Sequence, residues 1–231
     1  MIKENVLKLK ERISLVCSKI KQDPDKIVIV AVSKNRDVEQ IKEAIEAGIN
    51  DIGENRIQEA IVKYNQLQAP SLKLQAVRWH LVGHLQTNKV KEAVRIFGLI
   101  HSVDSIRLAQ EIDKQAAKIN KIQDVLIEVN TSKEETKFGI KPEDLEELVK
   151  MVSSFQNIRL KGLMTIAPIV DTPEKARPYF RRLRELLEEV NAQRITQDAL
   201  RILSMGMTDD FEVAIEEGSH MLRIGWAIFK G

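Results

Sequence analysis

Aromatic side chains are only 4% of this sequence, and its charge is nearly balanced: 36 lysines and arginines stand against 34 aspartates and glutamates, a net charge of +2. So few rings leave few platforms for stacking bases, and interspersed charge of both signs lacks the basic stripe of a nucleic-acid binder. The single cysteine, Cys17, excludes an internal disulfide; it falls on the apolar stripe of an N-terminal helix, reads as packing, and implies a reducing compartment. No stretch approaches the roughly 20 apolar residues of a membrane-spanning helix, and the N-terminus lacks the apolar core of a signal peptide. A cytoplasmic protein without a membrane partner is expected. No Gly/Ser/Pro-rich linker interrupts the 231 residues, and a hydrophobic content of 43% suffices for a full core, so one domain over 1–231 is expected.

The run Lys26-Ile27-Val28-Ile29-Val30-Ala31-Val32-Ser33-Lys34 anchors the rest of the chain. Unbroken and mostly β-branched, it reads as a strand buried on both faces, the mark of a parallel sheet. It ends on a lysine. Position alone leaves two readings of Lys34: an ammonium that has reached solvent, or an amine kept neutral and used as a nucleophile.

Apolar steps of three and four residues (Val6, Leu9, Ile13, Val16, Ile20) predict an amphipathic helix over 2–22, ahead of the first strand. Helix and strand then alternate. Helices are expected over 37–47 (capped by Asp37, closed by Gly48), 55–67, 86–95, 105–119, 142–153, 173–192 and 208–217. Strands are expected over 26–34, 50–53, 78–82, 99–102, 124–129, 159–163, 201–203 and 221–224. Eight strands alternating with helices in a chain of this length predict an α/β fold: a (β/α)8 TIM barrel with an extra N-terminal helix. A doubly wound sheet is the alternative, and the absence of G-x-G-x-x-G after the first strand speaks against it.

Such barrels carry their chemistry on the loops after the strands. Two of these loops look made for an anion. Leu203-Ser204-Met205-Gly206-Met207-Thr208 turns into a helix that Thr208 is placed to cap, and Arg223-Ile224-Gly225-Trp226 comes after strand eight. Backbone N–H groups at a helix start favour phosphate, and Gly225 permits close approach. The competing reading is a helix cap beside a surface arginine. His80 and His84 are four apart, but Gly83 and the strand pattern break any helix between them, so no metal site is expected. Arg181 with Glu185 and Arg184 with Glu188 are helical pairs on a solvated face. Glu134, Glu135, Lys137 and Phe138-Gly139 form a loop long enough for a lid. A lysine on strand one beside a phosphate cradle on strands seven and eight suits a phosphorylated aldehyde held as a Schiff base. Pyridoxal phosphate (PLP) is the common example, and a class I aldolase acting on a phosphosugar is the competing chemistry.

Five motifs, in order, carry a resemblance that runs from Ile27 to the C-terminus: Ala31-Val32-Ser33-Lys34; Gly53-Glu54-Asn55-Arg56-Ile57-Gln58-Glu59; Trp79-His80-Leu81-Val82-Gly83-His84-Leu85-Gln86-Thr87-Asn88-Lys89; Leu203-Ser204-Met205-Gly206-Met207; and Arg223-Ile224-Gly225. Together they resemble the pyridoxal phosphate homeostasis protein family. The resemblance implies the alanine racemase N-terminal barrel, with Lys34 in the Schiff base and Ser204, Gly206 and Gly225 holding the phosphate. It also implies Arg223 facing the pyridine nitrogen, and Asn55 and His84 lining the pocket. A permanent cation there disfavours protonation of the ring nitrogen and weakens the cofactor as an electron sink. Two positions depart from the family pattern: His220, where a small hydroxyl residue is usual, bears on a phosphate-side contact, and Lys230 interrupts the usual Phe-Gly ending in Phe229-Lys230-Gly231.

A racemase of this fold needs a second acid/base opposite the lysine, a role that in alanine racemase resembles a tyrosine supplied by a partner's extra domain. Tyr64 and Tyr179 are the only tyrosines, and both fall in helices. The expected function is therefore a monomeric PLP carrier or buffer without substantial turnover, partnered by PLP and by apoenzymes or a regulatory protein. A PLP-dependent, racemase-like amino-acid enzyme is the alternative. Whether Lys137 receives the cofactor in transit is left open.

Overall fold

The β-branched runs become eight parallel strands that close on themselves in chain order in the computed structural model, which describes residues 1–67, 77–132, 134, 137–196 and 198–230. The strands are β1 (Val28–Val32), β2 (Asp51–Glu54), β3 (Arg78–Leu81), β4 (Leu99–Val103), β5 (Gln123–Glu128), β6 (Ile158–Met164), β7 (Ile202–Ser204) and β8 (Met221–Ile224). Closure is made by β1 against β8, with Val30 opposite Arg223 and Ala31 opposite Ile224. The barrel expected from the alternation is present, and Glu135 and Gly231 lie outside the described residues.

Around it stand α1 (Ile2–Lys19), α2 (Val38–Glu46), α3 (Ile57–Leu67), α4 (Val90–Ile96), α5 (Ile106–Ala117), α6 (Leu145–Ser153), α7 (Arg177–Ala192), α8 (Phe211–Glu216) and the single turn α9 (Trp226–Phe229). Local chemistry sets their starts. The Asp37 carboxylate accepts the Gln40 N–H at 2.8 Å while the Gln40 amide oxygen accepts the Asp37 N–H, a reciprocal cap that stabilises α2 by about 1 kcal/mol. Ser105 caps α5 one-sidedly, its hydroxyl accepting the Leu108 N–H. Along each strand alternate residues face opposite ways. One set, including Ala31, Ile52, Leu81, Ile100, Val125, Ile127, Leu163, Leu203, Leu222 and Ile224, packs beneath the apolar faces of the helices as the main core.

The other set fills the lumen and is divided. Leu99, Leu126 and Met164, with Ile202 and Met221, form a small apolar cluster. Beside it runs a buried polar row of Asp51, His80, His101, Ser204 and Arg223. Gly162 lets β6 and β7 approach: a Cβ there would sit 1.9 Å from the Ile202 carbonyl oxygen.

Four sequence expectations change. The first helix ends at Lys19, and Ile20, its C-cap, is 37% exposed rather than part of the apolar stripe. The helix expected from 208 begins at Phe211, because the Asp210 carboxylate accepts the Met207 N–H and holds 207–210 in a turn. Thr208 therefore does not cap it. Beyond β8 the chain makes α9, an element that the alternation of strands and helices does not call for; its C-terminal carbonyls, those of Ile228 and Lys230, accept from Asn5 of α1. Finally, Arg184 does meet Glu188, but Arg181 turns from Glu185 to the buried Glu217, where Arg177 and Arg184 also converge at 2.9–3.1 Å. Their charges, with the hydrogen bonds they donate, hold the Glu217 carboxyl below its usual range against a burial that would raise it. That part of the charged run is an interhelix ion network rather than a solvated face.

Candidate functional site

At the C-terminal mouth of the barrel lies a cavity of about 470 Å³. Its wall brings together Lys34, Asn35 and Arg36 after β1, Asn55 after β2, Met207, Thr208 and Asp209 after β7, and Arg223, Gly225 and Trp226 around the end of β8. Val32, Val82 and Ile166 add apolar surface. Three cations, Lys34, Arg36 and Arg223, face one carboxylate, Asp209, so the site favours an anion. Lys34 is exposed at the mouth, and among the described residues no carboxylate lies within ion-pair distance of it.

The strand end beneath Lys34 is tied down. Lys63 of α3 is buried and donates to the Glu54 carboxylate at 2.5 Å and to the Ser33 carbonyl at 2.7 Å, while the Ser33 hydroxyl also donates to Glu54. An ion pair this deep costs desolvation but leaves the backbone on either side of Lys34 and Asn55 in one arrangement.

Arg223 is 4% exposed and reaches the cavity from inside the barrel. One N–H donates to the Ser204 hydroxyl at 2.8 Å and another to the Thr165 carbonyl at 2.7 Å, two of its five donors, which leaves others for a ligand. Burial lowers its pKa to about 10, opposed by the charges of Glu128 and Asp210, so it stays a cation at neutral pH.

Of the residues singled out from sequence, Lys34, Asn55, Arg223 and Gly225 line this one cavity. A Cβ at Gly225 would sit 3.2 Å from the Val32 carbonyl oxygen, so the glycine eases the crossing of the β8 loop over β1. Ser204 and Gly206 are not on its wall. Ser204 is fully buried, its hydroxyl taken by Arg223 and by His101 at 2.9 Å. Gly206 serves the turn: its φ is +94°, and a Cβ would lie 2.5 Å from that of Ala214. Thr208 stands where a hydroxyl for the anion was sought; its oxygen accepts the Ala227 N–H at the start of α9, and its own proton remains to donate. His84, expected to line the pocket, is not on this wall either: its Nδ1 is 3.4 Å from Asp104 and its ring is stacked on Phe138 at 4.1 Å. His220 precedes β8 at the opposite end of the barrel, where it accepts the Leu203 N–H, so it makes no phosphate-side contact. Burial lowers its pKa. Lys230 lies over the Trp226 ring.

Two acids at the mouth are not among the candidates the sequence singles out. Glu128 closes β5 at 5% exposure, and its pKa rises to about 7, because burial and the charge of Asp104 outweigh Arg223. Burial also raises Asp104, against the pull of His84. The available signal was a carboxylate ending an otherwise apolar run, Val125-Leu126-Ile127-Glu128. Among the described residues no cluster of side chains suits a metal, and no helix is long and apolar enough to cross a membrane.

The chain is similar to known proteins along its whole length. The profile of the alanine racemase N-terminal domain matches residues 2–231. A pyridoxal phosphate homeostasis protein of Aquifex aeolicus is 46% identical over 226 residues, covering 98% of this chain and 96% of the relative. The Escherichia coli protein of that name is 34% identical over 231 residues, covering 99% and 95%. PipY of Synechococcus elongatus, whose structure was solved with PLP bound, superposes with a TM-score of 0.85 at 34% identity, covering 99% of this chain and 100% of that one. An alanine racemase of Clostridium difficile, at 16% identity and a TM-score of 0.73 over 97% of this chain and 56% of its own, shares the barrel alone. With full-length relatives at this level of identity, the chain belongs to the pyridoxal phosphate homeostasis protein family, on the alanine racemase N-terminal barrel.

Proposed function

We propose that this protein binds PLP at the barrel mouth and carries or buffers it within the cytoplasm, without substantial turnover. The carrying observation is the convergence of Lys34, Asn55, Arg223 and Gly225 on one anion-favouring cavity. The donor set fits the cofactor. Lys34 offers an amine to its aldehyde; the Thr208 hydroxyl and the backbone at Gly225 border the space for its phosphate. Val32, Val82 and Ile166 would offer apolar surface to its ring, and the resemblance pairs Arg223, which enters from within the barrel, with its ring nitrogen. Lys34 Nζ, as the free amine, would hold the cofactor's aldehyde carbon as a Schiff base, with water as the leaving group. Bound PLP supplies an electron sink, which a cationic Arg223 weakens by disfavouring a protonated ring nitrogen. Against turnover stands the position of both tyrosines: Tyr64 packs edge-on against Trp79 in the outer layer, and Tyr179 belongs to α7. The expected partners are PLP itself and the apoenzymes or regulatory protein that take it up, with the carrier a monomer.

The test is the absorbance spectrum of the purified protein with and without added PLP, for wild type and Lys34→Ala. A visible Schiff-base band in wild type that is absent in the mutant is expected. No band in either defeats the reading and favours a phosphosugar barrel.

One observation favours the racemase-like reading as runner-up: Glu128, with its pKa near neutrality, is a candidate second acid/base at the same mouth. Exchange of an amino acid's α-proton at enzymatic rates, abolished in Glu128→Gln, is the outcome that establishes it.

A further inference from the structure

The polar row in the lumen is one continuous chain of hydrogen bonds. Arg78 Nη2 lies 2.8 Å from Asp51 Oδ2, and Asp51 Oδ1 is 2.8 Å from His80 Nε2. His80 Nδ1 is 3.0 Å from His101 Nε2, His101 Nδ1 is 2.9 Å from Ser204 Oγ, and Ser204 Oγ accepts from Arg223. The step from His101 on β4 to Ser204 on β7 joins strands that are not neighbours, so the chain crosses the lumen and ends on the arginine that lines the cavity. None of its inner members, Asp51, His80, His101 or Ser204, is more than 5% exposed.

Donor counting gives the chain a direction. Arg223 has only donors, so Ser204 must accept from it. The only other described partner of the Ser204 hydroxyl is His101 Nδ1, so the hydroxyl proton is satisfied only if that nitrogen is bare. His101 then carries its proton on Nε2 and donates to His80 Nδ1. His80 in turn carries its proton on Nε2 and donates to Asp51, whose second oxygen takes Arg78. Every donor has one acceptor. The reverse order leaves the serine proton without a partner and puts a second proton on His80. Deep burial beside the charged Arg223 holds His101 neutral, as the first order requires. Opposing its own burial, the hydrogen bonds from His80 and Arg78 hold Asp51 below its usual range, as an ionised end point.

We propose that His101 and Ser204, backed by His80 and Asp51, are positioning residues for Arg223, a directed relay that fixes the face its guanidinium turns to the cavity. This rests on the PLP reading of that cavity, and it gives Ser204 a part unlike the phosphate contact expected from sequence.

Two measurements test it, and they fail separately. In ligand-free wild-type protein, 15N NMR of the histidines is expected to find His101 protonated at Nε2 and bare at Nδ1; a proton on His101 Nδ1 overturns the relay whatever the cavity binds. In PLP titrations monitored by the Schiff-base band, Ser204→Ala and His101→Leu are each expected to weaken binding roughly 10- to 100-fold, the range for a lost hydrogen bond to a charged group. Because the relay acts through Arg223, both effects should vanish in an Arg223→Gln background, and His101→Asn, which restores an acceptor near Nδ1, should recover part of the loss. Losses that persist unchanged in the Arg223→Gln background overturn the proposal. Absence of the band in wild type instead defeats the PLP reading, and the tautomer of His101 still decides the relay.

Discussion

The two sides of the barrel mouth are held in different ways. On the side of β1, β2 and β8 the buried charges are closed off: Lys63 is bonded to Glu54 and to the Ser33 carbonyl, and Arg223 is anchored by Ser204 and Thr165. On the side of β4 and β5 the charges are slack. Glu128 has no side-chain hydrogen bond among the described residues, and Asp104, met by His84 at 3.4 Å and by Ser105, is still raised by its burial. The first side can hold a ligand in one pose because its groups have one arrangement. The second can respond to protons, because burial raises both of its acids.

Breaking the closed side has the largest expected effect. Lys63→Met strands a buried carboxylate, and Glu54 already has one oxygen, Oε2, without a partner. A loss of about 3–5 kcal/mol is expected from the urea midpoint, and Glu54→Gln combined with Lys63→Met should recover part of it, since the uncompensated charge is what costs most. A Lys63→Met protein as stable as wild type would mean that the pair is not what holds the Lys34 strand end.

The slack side gives the next effect, and it depends on pH. Glu128 titrates near 7 in the folded protein, against a usual 4.5, so between those values the folded state binds more protons than the unfolded one. Stability from this group is full below about pH 4.5 and is lost as pH rises through about 7. The rise from 4.5 to about 7 corresponds to about 3 kcal/mol. Glu128→Gln should therefore gain on wild type from pH 5 to about pH 7 and then level off, in parallel urea titrations. A constant difference across that range would show that Glu128 is ionised throughout, and the contrast between the two sides would fall.

How much of the molecule is legible in its sequence depends on the range of the interactions. The barrel is legible because strand and helix periods are local, and Lys34, Asn55, Arg223 and Gly225 are legible because strand ends converge on one face in this architecture. The polar row is not. His80 stands out in the sequence only for its spacing from His84, a spacing that the strand there deprives of meaning. His101 sits in the run Leu99-Ile100-His101-Ser102-Val103, and its bond to Ser204 joins residues 103 apart in sequence. No local pattern carries that partner. Thr208 misleads for a like reason: the N–H it accepts belongs to Ala227, 19 residues on. The one trace available is alternation, since Asp51, His80 and His101 are polar residues on strands whose other members are largely apolar.

The smallest effect concerns the loop after β5. Its base is pinned: Ile140 donates to the Glu128 carbonyl at 2.8 Å, and Asn130 to the Ile140 carbonyl at 2.9 Å. From that base Phe138 reaches back to stack on His84, and Lys137 pairs with Glu134 at 3.4 Å. Phe138 is still 59% exposed, so the stack covers the slack side only partly. Phe138→Ala should cost about 0.5–1.5 kcal/mol, the worth of an aromatic pair, and leave the Lys34 Schiff-base band where it is, because the stack touches His84 and not the cavity wall. A shifted band would mean that the loop reaches the ligand, which would make it a lid over the closed side as well as a cover for the slack one.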